Sequence, residues 1–561
     1  MLALKLAVAA AGLVLPFVQA QQTGNHPEWA RWCGKVYKPE YPSFDPGGQT
    51  REPPELPGGL GLHMQFRPRY SLYLDGEDEA EFIVRPHISE WYGSDWPSLG
   101  KPDRAPVVYF TINLVSNNDV LISNNITVGE DDKILAFSLD QLEPQIEPYD
   151  VVLFAADEEG DYTLTARSEL YYLPEKESGS VTKLDNLVGG MLFRNSETDG
   201  QFKPLLPYGF FGSCDHFLCE DDSFEAIRRY SELGLTGMVP LSSVFDSRPE
   251  LELMAEVGVD FMYDMRSFYK NLTEVRNHVS AVRDFEALFA YWGADEPDGW
   301  QDPFNATLLS KDVVRQLDPY HPIAITLNCN NYYFGEYTAG TDIIMADVYP
   351  IGINSTFSKW GTVVNETYGD CGCDGCQGNV QDVSVRFDLL AQYEEWLGLW
   401  PKTKGQNPQS FHGEDYWLRD PTVHEGVAMA ALGFNHGSKA VTSWLWPTSD
   451  DLAEIHGRFA KVVTSEPVVD FIVLAKAVQV EVEDLGILDV AFWKHGDAML
   501  VSAVNGGYVP LNQTVVIPLG DIEPKGVRDT VWGNGTWDVQ DGSLRLSGAS
   551  LMSTNMAIID L

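Results

Sequence analysis

Apolar and polar positions change rhythm twice along this chain. From residue 21 to about 195, short apolar or alternating runs sit between turn residues. Ala80-Glu-Phe-Ile-Val-Arg, Val107-Val-Tyr-Phe-Thr-Ile-Asn-Leu-Val and Tyr149-Asp-Val-Val-Leu-Phe-Ala are examples. This spacing predicts an N-terminal β-sandwich, entered through an extended Pro-rich lead-in from Pro39 to Pro57.

From about 200 to 470, strand-like runs alternate with helix-like ones. Eight strand candidates lie at 205–211, 236–241, 260–265, 288–292, 323–327, 342–347, 408–411 and 440–446. Between them, Phe224, Ile227, Tyr230 and Leu233 recur at helical spacing behind Ser223, a plausible N-cap. Val275, Val279, Val282 and Phe285 do the same, as do Val385, Leu389 and Tyr393. Residues 475–561 return to strand rhythm in Ala498-Met-Leu-Val-Ser-Ala-Val, Thr514-Val-Val-Ile-Pro-Leu and Ser543-Leu-Arg-Leu-Ser. The prediction is therefore an α/β fold, a (β/α)8 TIM barrel flanked by an N-terminal β-sandwich and a small C-terminal β-domain. An open doubly wound sheet is the alternative, but no Gly-rich phosphate loop opens a helix here.

The first twenty residues read as a signal peptide: Lys5, an apolar run from Leu6 to Val18, then Val18-Gln-Ala20. Export is supported by seven Asn-x-Ser/Thr sites, at Asn125, Asn271, Asn305, Asn354, Asn365, Asn512 and Asn534. A secreted, extracellular glycoprotein beginning at Gln21 is the expectation. At 561 residues the chain needs two or three cores. Its net charge of −44 argues against nucleic acid and anionic membrane as partners. The seven cysteines of an exported chain should mostly pair. Cys214 and Cys219 can close a small loop, and Cys371, Cys373 and Cys376 favour a disulfide-stapled loop over a zinc site. The odd count leaves at least one thiol unpaired or paired between chains. No cofactor is implied, and no metal either: His216, His412, His424 and His436 are scattered without ligand spacing. Oligomeric state is not set by these features.

Active sites of such barrels lie at the C-terminal ends of the strands. The richest end is the fourth, Leu288-Phe-Ala-Tyr-Trp-Gly-Ala-Asp-Glu-Pro-Asp-Gly-Trp300. Apolar walls and a neighbouring carboxylate both raise a carboxyl pKa, so Glu296 beside Asp295 is the candidate proton donor. Asp347 after the sixth strand and Glu414 after the seventh are the other candidate catalytic carboxylates. Asp215, Asp264, Arg266, Asn328, Tyr349, Gln409, His412, Trp444 and Trp446 are the candidate substrate contacts. Polar groups and aromatic faces around one mouth suit sugar hydroxyls and C–H faces, so carbohydrate is the expected partner. Trp444 and Trp446 alternate with Leu445, which predicts that both face the mouth.

This layout resembles the large clan of (β/α)8-barrel glycosidases that place an acid/base glutamate after strand 4 and a nucleophile glutamate after strand 7. Glu296 matches the first, which implies a secreted glycoside hydrolase. The second is absent: Gln409 stands there, and an amide cannot form a glycosyl ester. Asp295-Glu296 is also similar to the pair in substrate-assisted hexosaminidases, where the substrate's acetamido oxygen attacks. That resemblance implies Asp295 orienting the acetamido group, walled by Tyr349, Trp444 or Trp446. Gln409 equally supports a reading of another class, a glycan-binding or cell-wall protein on a decayed barrel.

Overall fold

The computed structural model describes residues 28–96, 99, 105–414, 416–483 and 485–561. The expected signal peptide lies outside the described residues. At the centre, parallel strands close into a barrel: β1 (Tyr208–Gly212), β2 (Gly237–Pro240), β3 (Asp260–Asp264), β4 (Leu288–Asp295), β5 (Ile323–Leu327), β6 (Ile343–Val348), β7 (Thr403–Pro408) and β8 (Ser438–Trp446). The fold class is thus as expected, and seven of these strands overlap the apolar runs that predicted them.

The seventh strand is displaced. The apolar pattern puts it at 408–411, whereas it runs Thr403–Pro408 and is buried throughout. Three of its side chains, Lys404, Gln406 and Asn407, are polar and bonded. Lys404 pairs with Glu394 at 2.7 Å, Gln406 donates to the Ala430 carbonyl at 2.8 Å, and Asn407 donates to the Thr442 carbonyl at 3.0 Å. Buried polar groups that are bonded in this way cost little, but they leave no hydrophobic period to read.

Strand β8 departs from simple alternation. Phe210 of β1 lies opposite Ser443 while Gly212 lies opposite Trp446, so β8 carries one extra residue between the two. This bulge puts Trp444 and Trp446 on different sides. Trp444 packs on Phe211 inside the barrel, with ring centroids 5.2 Å apart, whereas Trp446 packs on Phe210 and Tyr230 outside it, at 5.3 and 4.9 Å.

The helices fill the outer layer. Ser223–Leu233 buries Ile227 and Tyr230 but exposes Phe224, and Asp222, not Ser223, is its N-cap. Leu272–Val282 buries Val275, Val279 and Val282 as expected. Asp382–Trp396 turns Val383, Phe387, Leu390 and Tyr393 inward and leaves Val385 exposed, so its buried face is rotated from the expected one.

A three-stranded sheet, Val181–Leu184, Met191–Arg194 and Lys203–Leu205, closes the N-terminal end of the barrel. Its Leu184, Met191, Phe193 and Leu205 join the barrel-interior residues Phe211, Met262, Phe289, Trp292 and Met345 in one core. The opposite, C-terminal end is left for the site.

The N-terminal region contains the two facing sheets of a sandwich. One has Gly61–Pro68, Glu79–Ser89 and Lys133–Ser138, the other Val107–Leu114, Val120–Thr127, Tyr149–Ala156 and Thr163–Leu170, around a shared apolar core. The C-terminal region pairs a five-stranded with a three-stranded sheet around its own core. Within the lead-in, Gln49 bridges Tyr332 and the Thr50 N–H donates to the Asn331 carbonyl at 3.0 Å, and another segment precedes it. Residues 31–36 form a hairpin whose Cys33 is disulfide-bonded to Cys329 after β5. Cys214 pairs with Cys219 and Cys373 with Cys376, and Cys371 is the free cysteine among the described residues.

Candidate active site

Strand β4 is buried along its length until Asp295, where the barrel opens. Glu296 follows with φ of +48°, a left-handed conformation that costs a branched-free side chain like glutamate about 1 kcal/mol or more. Its backbone N–H still donates to the Thr326 carbonyl at 2.9 Å, so it remains tied to β5. Asp298, with no exposed surface, completes the corner. Its carboxylate accepts from the backbone N–H groups of Gly299 at 2.9 Å, Asn328 at 3.2 Å and Cys329 at 2.8 Å. It binds the end of β5 and caps no helix.

The corner aims Glu296 at Asp347 from β6, and the two carboxyls are hydrogen-bonded to one another. Asn328 spans the pair: its Nδ2 donates to Glu296 Oε1 at 2.9 Å and to Asp347 Oδ2 at 3.0 Å. Burial, followed by the charge of Asp347, pushes the Glu296 carboxyl well above the ordinary range. Burial also raises Asp347, against the opposing effect of its hydrogen bonds to Glu296 and Asn328. Two carboxyls this close cannot both ionise easily, so the resting pair carries a proton near neutral pH.

Asp295 stands beside the pair. Burial and Asp347 raise it to about 7, opposed by Arg266, whose Nη1 lies 3.6 Å away. Arg266 also binds Asp264 at 3.3 Å, which burial lifts to about 6. The guanidinium lies over the rings of Trp292 and Trp444, at 5.4 and 5.8 Å. Half-buried Tyr349 faces the same acidic group: burial first, and then Asp347, Glu296 and Asp295, raise its phenol. The structure therefore gathers Asp264, Arg266, Asp295, Glu296, Asn328, Asp347, Tyr349 and Trp444.

The other expected contacts are not brought there. Gln409 has no exposed surface, and both amide atoms are used on one residue. Its Oε1 accepts from the Ile351 N–H at 2.8 Å and its Nε2 donates to the Ile351 carbonyl at 2.9 Å. It buttresses the loop after β6 and presents no surface to a substrate. Trp446 is excluded by the bulge. Glu414 is exposed on the loop after β7, as is His412, which binds Asp420 at 2.5 Å. Asp215 is exposed on the Cys214–Cys219 loop.

One contributor was not legible in the sequence. Trp32, on the N-terminal hairpin, donates from its indole Nε1 to Asn328 Oδ1 at 2.8 Å. It is separated from Asn328 by 296 residues, and only the chance pairing of Cys33 with Cys329 could have pointed to it. A second constellation needs separating from the site. Ser180 Oγ lies 3.0 Å from His321 Nε2, and His321 Nδ1 lies 2.7 Å from Asp318. All three have at most 1% exposure, far from any substrate path, and they join the plug sheet to the barrel. The sequon asparagines are exposed at 125, 271, 354, 365, 512 and 534, and half-buried at 305.

No family model and no curated protein matches the chain. Solved structures that align with the chain do so at low identity and low TM-score. A beta-glucuronidase from Parabacteroides merdae is 10% identical, with 90% of this chain and 74% of that one covered and a TM-score of 0.33. A GH30 endoxylanase from Clostridium papyrosolvens is 10% identical, with 64% and 97% covered and a TM-score of 0.40. A Bacteroides fragilis protein provisionally named an alpha-galactosidase is 10% identical, with 91% and 99% covered and a TM-score of 0.41.

Proposed function

We propose that this protein is a secreted glycoside hydrolase in which Glu296 is the general acid. The observation that carries this reading is the Glu296–Asp347 pair, hydrogen-bonded together and bridged by Asn328 at the open end of the barrel. A carboxyl with a raised pKa keeps its proton at neutral pH and can give it to a leaving oxygen. Glu296 protonates the glycosidic oxygen as its bond to the anomeric carbon breaks, and the alcohol departs neutral. Water finally captures the anomeric carbon and returns a proton to the Glu296 carboxylate. Arg266 and the half-buried Trp444 offer the polar and aromatic surfaces that a sugar ring takes. Export and glycosylation are supported by the leader-like residues 1–20 and the exposed sequons.

A specific observation favours substrate-assisted hydrolysis of an N-acetylated glycan. Asp347 is only 3% exposed and is engaged by Glu296, which leaves it badly placed to attack a sugar carbon. Gln409 supplies no nucleophile. Asp295, with a side chain 27% exposed, is free to orient a 2-acetamido group whose oxygen attacks instead.

A panel of aryl glycosides tests both. Sugar release that is lost in Glu296→Gln supports the general acid, and full activity in that variant refutes it. Turnover of N-acetylhexosaminides alone supports substrate assistance, and turnover of plain glucosides or galactosides refutes it. Glycan binding by the wild type without any released sugar would favour the decayed barrel.

A further inference from the structure

The hairpin of residues 31–36 lies against the mouth of the barrel, held there by more than one kind of bond. Cys33 is joined to Cys329, and Lys35 Nζ binds Asp374 at 2.6 Å, whose other oxygen accepts from the Asn330 N–H at 2.9 Å. Gly299 lets the Trp32 ring close in, because a Cβ there would lie 2.4 Å from the indole. The hydrogen bond and the disulfide occupy consecutive residues on both segments: Trp32 meets Asn328 and Cys33 meets Cys329.

The Asn328 amide has two ends that differ in sign. Trp32 Nε1–H donates to Oδ1, and an indole can only donate. That fixes the oxygen toward the hairpin and the NH2 toward Glu296 and Asp347. Were the amide to turn over, its oxygen would face two carboxyls and both would lose a donor. We propose that the hairpin is part of the catalytic apparatus, with Trp32 as a positioning residue that holds the Asn328 amide in the orientation the Glu296–Asp347 pair requires.

This inference rests on the glycosidase reading, whose acid is the pair that Asn328 serves. The charged and titratable groups around the pair are Asp295 at the end of β4 and Asp298 after it, Asp264 at the end of β3 and Arg266 after it, Arg386 and Tyr349. None of these contacts Trp32 through a hydrogen bond among the described residues, so removing its N–H alters one input to the pair.

The test compares Trp32→Phe with Trp300→Phe in the full chain. Trp300 touches the Trp32 ring edge-on, at 5.1 Å, and is largely exposed. Phenylalanine at 32 keeps a ring and the disulfide but lacks the N–H. Losing the donor disfavours both carboxylates, so both limbs of the kcat pH profile should move up by roughly one unit. KM should change little, and Trp300→Phe should leave the limbs in place. An unmoved profile in Trp32→Phe, or an equal move in Trp300→Phe, overturns the proposal. If Trp32→Phe does not fold, the double variant Cys33→Ser/Cys329→Ser takes its place. It frees the hairpin and should move the limbs in the same direction, and unmoved limbs overturn the proposal. A wild type that releases no sugar refutes the glycosidase reading instead. Trp32 is then tested by the melting temperature, which should fall more steeply between about pH 5 and 8 in Trp32→Phe than in the wild type. Parallel curves overturn the proposal.

Discussion

Asp347 hydrogen-bonds to Glu296 although the two leave different strands, β6 and β4, and are separated by β5. Their pairing gives each position a different expected phenotype. Glu296→Gln removes the proton donor and should lower kcat by about 10²- to 10⁴-fold, with the fold intact by circular dichroism. Asp347→Asn keeps a side chain of the same shape but removes the charge that helps hold the Glu296 proton. The basic limb of the pH profile should therefore shift to lower pH. An unshifted limb would separate Asp347 from the acid.

The same pair sets a dependence of stability on pH. Both carboxyls are raised in the folded chain, so their contribution is greatest below about pH 4, where both are protonated in either state. It is lost as pH rises through the raised values, because the folded chain then keeps protons that the unfolded chain releases. Asp347→Asn should thus melt higher than the wild type near pH 7, and a lower melting temperature would contradict the raised pair.

Gln409 offers a sharp test of why the strand 7 position lacks a carboxylate. Gln409→Glu should not create a nucleophile. A carboxylate there can accept from the Ile351 N–H but faces the Ile351 carbonyl oxygen with no proton to share. The buried charge and the lost bond should cost about 2–4 kcal/mol. Chemical denaturation measures this. A gain in sugar release with unchanged stability would show that the position opens onto the substrate after all.

How much of this was readable beforehand differs from element to element. Strand β4 announced itself, because Leu288–Trp292 is apolar and the carboxyl cluster begins where that run stops. Strand β7 did not, since Lys404, Gln406 and Asn407 are buried by pairing with other polar groups and carry no hydrophobic period. Trp446 was misplaced by one extra residue, which reverses every side chain beyond it. Glu296, Asp295 and Asp347 could be named as candidates from strand ends alone. Their mutual bond, and the reach of Trp32 across the mouth, depend on tertiary placement that periodicity does not encode.

At the junction with the C-terminal sheets, His436 is held between two carboxylates, Asp388 at 2.6 Å and Asp489 at 2.7 Å. Despite burial, these bonds raise the imidazole to about 9. Its stabilisation is fully present below its unfolded value of about 6.5 and is lost as pH rises through about 9. Urea midpoints should therefore fall between pH 7 and 10, and His436→Gln should be destabilised near pH 6 and show less of that fall. A wild-type midpoint that is flat across this range would mean the junction does not depend on the charged imidazole.

The Ser180–His321–Asp318 cluster has the order of bonds found in serine nucleophiles, yet every member is buried. Ser180 Oγ also reaches the carbonyls of Phe285, at 3.0 Å, and Leu288, at 2.5 Å, so it ties the plug sheet to the start of β4. Burial lowers the His321 imidazole, which keeps it neutral at pH 7. Hydroxyl and ring are therefore a structural fastening, and Ser180→Ala should cost about 1–3 kcal/mol in stability by leaving buried partners unmatched. Sugar release per folded molecule should be unchanged, and a fluorophosphonate should leave the wild-type serine unlabelled. Labelling at Ser180, confirmed by peptide mass, would mean that solvent and reagent reach a position the packing closes off, and the cluster would then have to be treated as a nucleophile.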